Sequence, residues 1–141
     1  MPSFDKSAAD ALLTSVFAQW VRDLDLSIES IEGDSAVLRM RFSDKLCRDN
    51  GVICGQALMS LADTSMVFAI CSAAGEYFPM TTVDQTIHFM RPAMRADVLA
   101  EARAVRIGKT MAYGSIVIRT DNDERPVAMA QTAYALLREG K

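Results

Sequence analysis

The sequence predicts an α+β domain in which an antiparallel sheet curls around one long central helix, and three observations lead there. Residues 50–75, NGVICGQALMSLADTSMVFAICSAAG, contain Asp63 as their only charge, so a helix in this stretch has no polar face and must be wrapped by other elements. Beyond it the hydrophobic period changes to two and stays there through four segments. One face of those segments is small: Ala100, Ala102 and Ala104, then Ala112 and Gly114, then Ala128, Ala130 and Thr132. Small residues in register on neighbouring strands let a helix approach closely. The order helix, two strands, long helix, four strands makes one domain of the 141 residues.

In residues 6–23, Ala8, Leu12, Leu13, Val16, Phe17, Trp20 and Val21 recur at three- and four-residue spacing. The spacing predicts one amphipathic helix lying on an apolar surface. Residues 24–32 read as a short strand closed by a Gly33-Asp34 turn. Residues 35–42 alternate, with Ala36, Leu38, Met40 and Phe42 on one face and Val37, Arg39 and Arg41 on the other, as in a half-buried antiparallel strand. Residues 43–51 are polar and turn-prone. The central helix then runs to Gly75, with Pro79 shortly after. Strands are expected over 81–90, 96–105, 111–120 and 125–137, divided by Arg91-Pro92, by Gly108 and by the polar turn 121–124.

Charge and cysteine usage narrow the function classes. A net charge of −3 without a basic run gives no reason to expect nucleic acid. The central stretch is long enough for a membrane span, but a charge at its middle and five polar side chains speak against one. Cys47, Cys54 and Cys71 match neither a zinc ribbon, a redox pair nor a disulfide framework, so reduced thiols and a cytoplasmic location are expected. The N-terminus has no continuous apolar core of a secretory signal. A small molecule or a second copy of the chain is the expected partner. His88 is the only histidine; alone on its strand it suits a structural or exposed position, and a histidine-based metal site would need a second chain.

A buried carboxylate is costly unless it is paired, hydrogen-bonded or used, so Asp63 is either a structural hydrogen-bond partner or a functional group. The surrounding motifs bear on that choice. The run GxxCGQALMSLAD ending at Asp63, then TVDQTIHFMRPA from Thr82 and AEARAVRIGKTMAYG from Ala100, resembles the hotdog-fold acyl-CoA thioesterases of the phenylacetate-degradation type. Their pattern is close to GxxHGGxxxxLAD, then F-x-R-P, then A-x-v-x-r-x-G. The resemblance spans about residues 48–137 in the same order.

The resemblance implies an acyl-CoA hydrolase that needs no cofactor beyond the coenzyme A of its substrate. It places Asp63 as nucleophile or general base, the Gly55 amide as oxyanion donor at a helix N-terminus, and Thr82 as the hydroxyl that orients water. Gly55 and Asp63 are eight residues apart, about 12 Å along a helix, whereas both must reach one carbonyl group. The implied site therefore joins two antiparallel copies in a homodimer, and the family commonly builds a dimer of dimers. Arg106, Gly108 and Lys109 form either a solvated turn or a contact for the nucleotide phosphates; Arg91 suits a phosphate or a neighbouring carboxylate. Met59 and Met66 suit an adaptable acyl tunnel.

The chain departs from the family pattern around the oxyanion glycine. Cys54 replaces the usual histidine and Gln56 the second glycine, and Arg48 stands where some relatives carry an amide that meets the carbonyl, with Asn50 nearby. Cys54 at a helix start could itself serve as a nucleophile. The missing histidine motivates one rival, a protein of the same fold that binds acyl-CoA without turnover; it speaks against the other, an acyl-thioester dehydratase, a class that generally uses a histidine with its carboxylate.

Overall fold

The computed structural model describes residues 3–138. Helix α1 (Lys6–Leu13) and a four-residue α2 (Gln19–Arg22) precede strands β1 (Leu26–Glu32) and β2 (Ser35–Met40). A 3₁₀ turn at Asp44–Leu46 leads to the central helix α3 (Gly55–Ala74), and β3 (Met80–Phe89), β4 (Val98–Ile107), β5 (Met111–Thr120) and β6 (Ala128–Leu136) follow. The six strands form one antiparallel sheet in the order β1-β2-β4-β5-β6-β3. α3 packs chiefly on β4 and β2. The expected α+β architecture, a curved sheet around a long helix, is the one observed.

The small face is what admits the helix. Cross-strand registers set Ala102 opposite Ile116 and Ala104 opposite Gly114, and on the next ladder Ile116 opposite Ala130 and Gly114 opposite Thr132. Small residues thus alternate with branched ones and leave a groove for α3, as close packing of a core demands. Met66 of α3 is fully buried and fills the space over Gly114. A Cβ at Gly114 would collide with the Met66 Sδ and Cε and stand 2.6 Å from the Arg103 carbonyl oxygen. The thioether end can move and the backbone oxygen cannot, so Gly114→Ala is expected to destabilise the fold by about 1–3 kcal/mol, read as a lowered urea midpoint with an unchanged slope.

α3 stops where expected: Gly75 takes φ 84° and donates its N–H to the Cys71 carbonyl at 2.8 Å. By length and composition α3 could cross a membrane, yet two thirds of its most apolar window are buried against the rest of the chain. At the other edge of the sheet Arg39 bonds Glu29, Asp97 and Asp121 at 2.9–3.1 Å. The Phe42 N–H, at 2.7 Å, and then Arg39 hold the Asp97 carboxyl below the usual range.

Two expectations about local structure need correction. The single helix over 6–23 is broken after Leu13. The Thr14 and Ser15 hydroxyls donate to the Ala11 and Leu12 carbonyls at 3.2 and 3.1 Å, offering the backbone an alternative to the helical ladder. Arg22 then reaches back to the Phe17 and Thr14 carbonyls at 3.1 and 3.0 Å. Phe17 still anchors the segment by stacking on the buried Phe68, with ring centroids 5.7 Å apart. Val16 and Trp20, expected on the buried face, are 47% and 60% exposed. The last strand begins at Ala128 rather than Arg125, because Pro126 has no N–H for a ladder.

Candidate functional site around Asp63

α3 is not wrapped on all sides. Gln56, Met59, Ser60 and Asp63, at the three- and four-residue spacing of one face, form a stripe that stays open to solvent or only partly covered. Asp63 is the one carboxylate on the helix, and two hydroxyls hold it. Thr82 Oγ1 donates to Asp63 Oδ1 at 2.7 Å, and the Tyr134 hydroxyl lies against the same oxygen and within 2.6 Å of the Asp63 main-chain carbonyl. Tyr134 is 2% exposed. Burial first, then the Asp63 charge, push its pKa far above the ordinary tyrosine value, so it stays a neutral donor. Both bonds fall on Oδ1, which leaves Oδ2 for a further donor.

The strands bring these hydroxyls together by a register that plain alternation does not give. Thr82 pairs with Tyr134 across β3 and β6, and a bulge at Val83 follows, so that the next pair is Asp84 with Ala133. The extra residue lets Thr82 and Gln85, three apart, both turn toward α3. Gln85 donates to the Met59 carbonyl at 3.0 Å, one turn before Asp63.

Two clefts meet at Asp63. One, of about 270 Å³, is walled by Phe17, Val67, Tyr77 and Met80. The other, of about 320 Å³, is walled by Trp20, Met59, Ser60 and Gln85. Val21, Thr64 and Thr82 border both. Met59 lines the second of these clefts; Met66, the other methionine expected beside an acyl group, turns instead to the sheet because Gly114 leaves it room.

The other end of α3 opens on a third cleft, of about 440 Å³, lined among others by Arg48, Gly55, Phe89 and Arg91. Cys54 is the N-cap residue and its side chain makes no capping bond, so the helix start is free of side-chain competition for its amides. Gly55 sits under the Phe89 ring, 3.2 Å from where a Cβ would be. Arg91 Nε donates to the Pro126 carbonyl at 3.3 Å. Gln56 belongs to the open stripe. Asn50, with φ 58°, and Gly51, with φ 72°, form the tip of the hairpin before α3, and Asn50 is outside the lining of this cleft.

The remaining expected residues lie elsewhere. Arg106, Gly108 and Lys109 are at the β4–β5 turn, whose Gly108 N–H bonds the Met111 carbonyl at 2.7 Å. Thr110 accepts from Leu136 at 2.8 Å, and Leu136 pairs with Met80, so this turn lies at the end of the sheet where β3 begins. Gly55 and Arg91 lie where β3 ends, at Phe89. Within one chain the expected substrate contacts are thus divided between opposite ends of the sheet. His88 is exposed, paired across strands with Met129. Among the described residues no three His, Cys, Asp or Glu side chains gather as a metal site would need. Sequence reasoning missed Tyr134, Trp20 and Val21 at this site; for Tyr134 the available signal was a lone aromatic on an otherwise small strand face.

The profile of the thioesterase superfamily matches residues 50–127, more than half of the chain. The chain belongs to the thioesterase superfamily. A Halobacterium salinarum protein whose own esterase name is provisional is 28% identical, over 99% of both chains. Among solved structures, a protein of Silicibacter sp. TM1040 provisionally called a thioesterase is 26% identical with a TM-score of 0.85, covering 98% of this chain and 95% of that one. The PaaI protein of Escherichia coli, from the phenylacetic acid degradation operon, is 22% identical with a TM-score of 0.80 over 94% of each chain. This superfamily member therefore has the hotdog fold of the PaaI type. Membership supports a hydrolase acting on thioesters, and the matched stretch contains both Gly55 and Asp63.

Proposed function

We propose that the protein hydrolyses acyl-CoA thioesters at a site shared by two antiparallel copies of the chain. The observation that carries the reading is Asp63: a carboxylate held on one oxygen by Thr82 and Tyr134, on the open stripe of the central helix, with two clefts beside it. Oδ2 attacks the thioester carbonyl, or takes a proton from a water that does. The C–S bond breaks and the thiolate of coenzyme A leaves and takes up a proton; where water attacked, the free acid forms directly, and where Oδ2 attacked, water then hydrolyses the mixed anhydride to the acid and returns Asp63 as a carboxylate. The Gly55 amide of the other copy faces the developing oxyanion, where the start of α3 favours negative charge. Thr82 positions the carboxylate directly, and its oxygen lone pairs remain for water.

The proposed dimer resolves the division noted above. Antiparallel pairing lays the Gly55 and Arg91 end of one copy against the Asp63 and Lys109 end of the other, which supplies cations for the nucleotide phosphates. β3 supports the pairing: it is a ten-residue strand at the edge of the sheet, and Val83 and Phe89 along it are 60% and 50% exposed. An edge of that length is a template for another strand. No metal or prosthetic group takes part in the proposed reaction.

Free-thiol release from a panel of alkyl- and aryl-CoA thioesters tests the reading. Turnover of at least one member is the expected result; saturable binding of the panel with no thiol release would establish the binding-protein alternative, which the Cys54 replacement motivates. A finer check is Tyr134→Phe. Losing one of two donors to Asp63 is expected to lower kcat about tenfold, at a stability cost of about 1 kcal/mol. An unchanged kcat would remove Tyr134 from the proposed mechanism.

A further inference from the structure

We infer that residues 16–21 form the acyl-recognition wall of the Asp63 site, and that the acyl group they select is neutral and apolar. The inference rests on the proposed thioesterase reading and names its substrate class. It starts from a fold anomaly. α2 is a helix of four residues, none of them buried, and the segment before it leaves the helical path at Thr14. Such a segment has little packing of its own to stabilise it. It is nevertheless held in place from both ends, by Phe17 stacked on Phe68 and by Arg22 bonded to the Phe17 and Thr14 carbonyls.

What the segment does is border Asp63. Val16, Phe17 and Val21 wall the first cleft, and Trp20 and Val21 wall the second. Val21 therefore stands, with Thr64 and Thr82, between two chambers that both open on the carboxylate. The chamber beyond it, against Phe17, Val67, Tyr77 and Met80, lies within one chain and off the Gln56–Met59–Ser60 stripe that the partner copy would meet. At about 270 Å³ it is at the small end of ligand pockets, suited to a single ring or a short branched chain rather than a long fatty one. Trp20, with 60% of its surface exposed beside Met59, closes the outer side of the second chamber.

The lining also says what the chambers reject. Among the described residues no lysine or arginine borders either one, and Asp63 is the only charge in both. An acyl group ending in a second carboxylate would face that charge with no cation of the same chain to offset it, and in the first chamber it would sit off the stripe that the other copy meets. Phenylacetyl, benzoyl or hexanoyl groups fit the chemistry; succinyl does not.

Trp20 is the only tryptophan in the chain, so its emission reports the wall without turnover. Hexyl- and phenethyl-CoA thioethers, which have no carbonyl to hydrolyse, are expected to shift the emission of the wild-type protein to the blue and to saturate, while coenzyme A alone leaves it in place. In parallel, Trp20→Ala is expected to lower the kcat/KM ratio of phenylacetyl-CoA to acetyl-CoA about tenfold or more, mainly through KM, with the fold intact because Trp20 is exposed. Succinyl-CoA is expected to be at least tenfold poorer than hexanoyl-CoA for the wild type. Hydrolysis with no emission shift, or with an unchanged ratio, overturns the wall and leaves the thioesterase standing. An emission shift with no hydrolysis of any thioester upholds the wall and removes the catalytic reading. A preference for succinyl-CoA overturns the assigned substrate class.

Discussion

Asp63→Asn is expected to give a folded protein that releases thiol from acyl-CoA about 10²–10⁴-fold more slowly than wild type. The amide oxygen still accepts from Thr82 and Tyr134, so the hydrogen bonds that tie β3 and β6 to α3 are retained. What disappears is the negative oxygen that attacks or deprotonates. The comparison needs thermal unfolding and sedimentation alongside kinetics, so that lost turnover is not lost structure. Were Asp63 only a structural acceptor, the same variant would shift stability and leave any turnover within a few-fold. That result would end the proposed chemistry.

Gly55→Pro is expected to cost about 10²–10³-fold in kcat, because it deletes a single N–H at the proposed oxyanion position. The backbone suits the change, and the Phe89 ring, 3.2 Å from the Cβ position, has only to shift by a few tenths of an ångström. Gly55 is the first residue of α3, where proline is favoured, and Cys54 before it already has φ −69° and ψ 151°, the extended conformation that a following proline requires. The two variants also test whether the site is shared. A dimer of one Asp63→Asn copy and one Gly55→Pro copy contains one doubly defective site and one intact site. Random reassociation of equal amounts should therefore restore about a quarter of wild-type activity. If each chain carried its own complete site, mixing would restore nothing.

Most of the architecture was legible because it follows from pattern. The apolar run of α3, its Gly75 stop and the small faces of β4, β5 and β6 are all periodic, and periodicity survives in a bare sequence. The break after Leu13 is different in kind: it depends on two hydroxyls competing with the helix and on Arg22 returning to two carbonyls, and nothing in the apolar spacing of residues 6–23 reports that. Of the candidate site, Asp63 and Thr82 were legible through motif resemblance, and the structure brings them into direct contact. Tyr134 was not, since its partnership with Thr82 is a matter of register across 52 residues of sequence, and the Val83 bulge reverses the facing that alternation would assign. Trp20 looked like core because it shares a helical spacing with residues that are core, whereas Val21 does pack against the core and borders both clefts as well.

The open stripe of α3 has an arithmetic consequence. Met59 stands midway between Gly55 and Asp63, so in the proposed antiparallel pair the two-fold axis passes beside it. Any side chain placed there meets its own copy. A charge at this position would be repelled by itself, and a bulkier group would press on both halves at once, so position 59 senses every change twice. Inserting one residue between Gly55 and Asp63 would turn one group about 100° around the helix relative to the other and spoil both sites together. In the proposed dimer the eight-residue interval is a ruler used from both ends, so a change in its length would be felt at both sites.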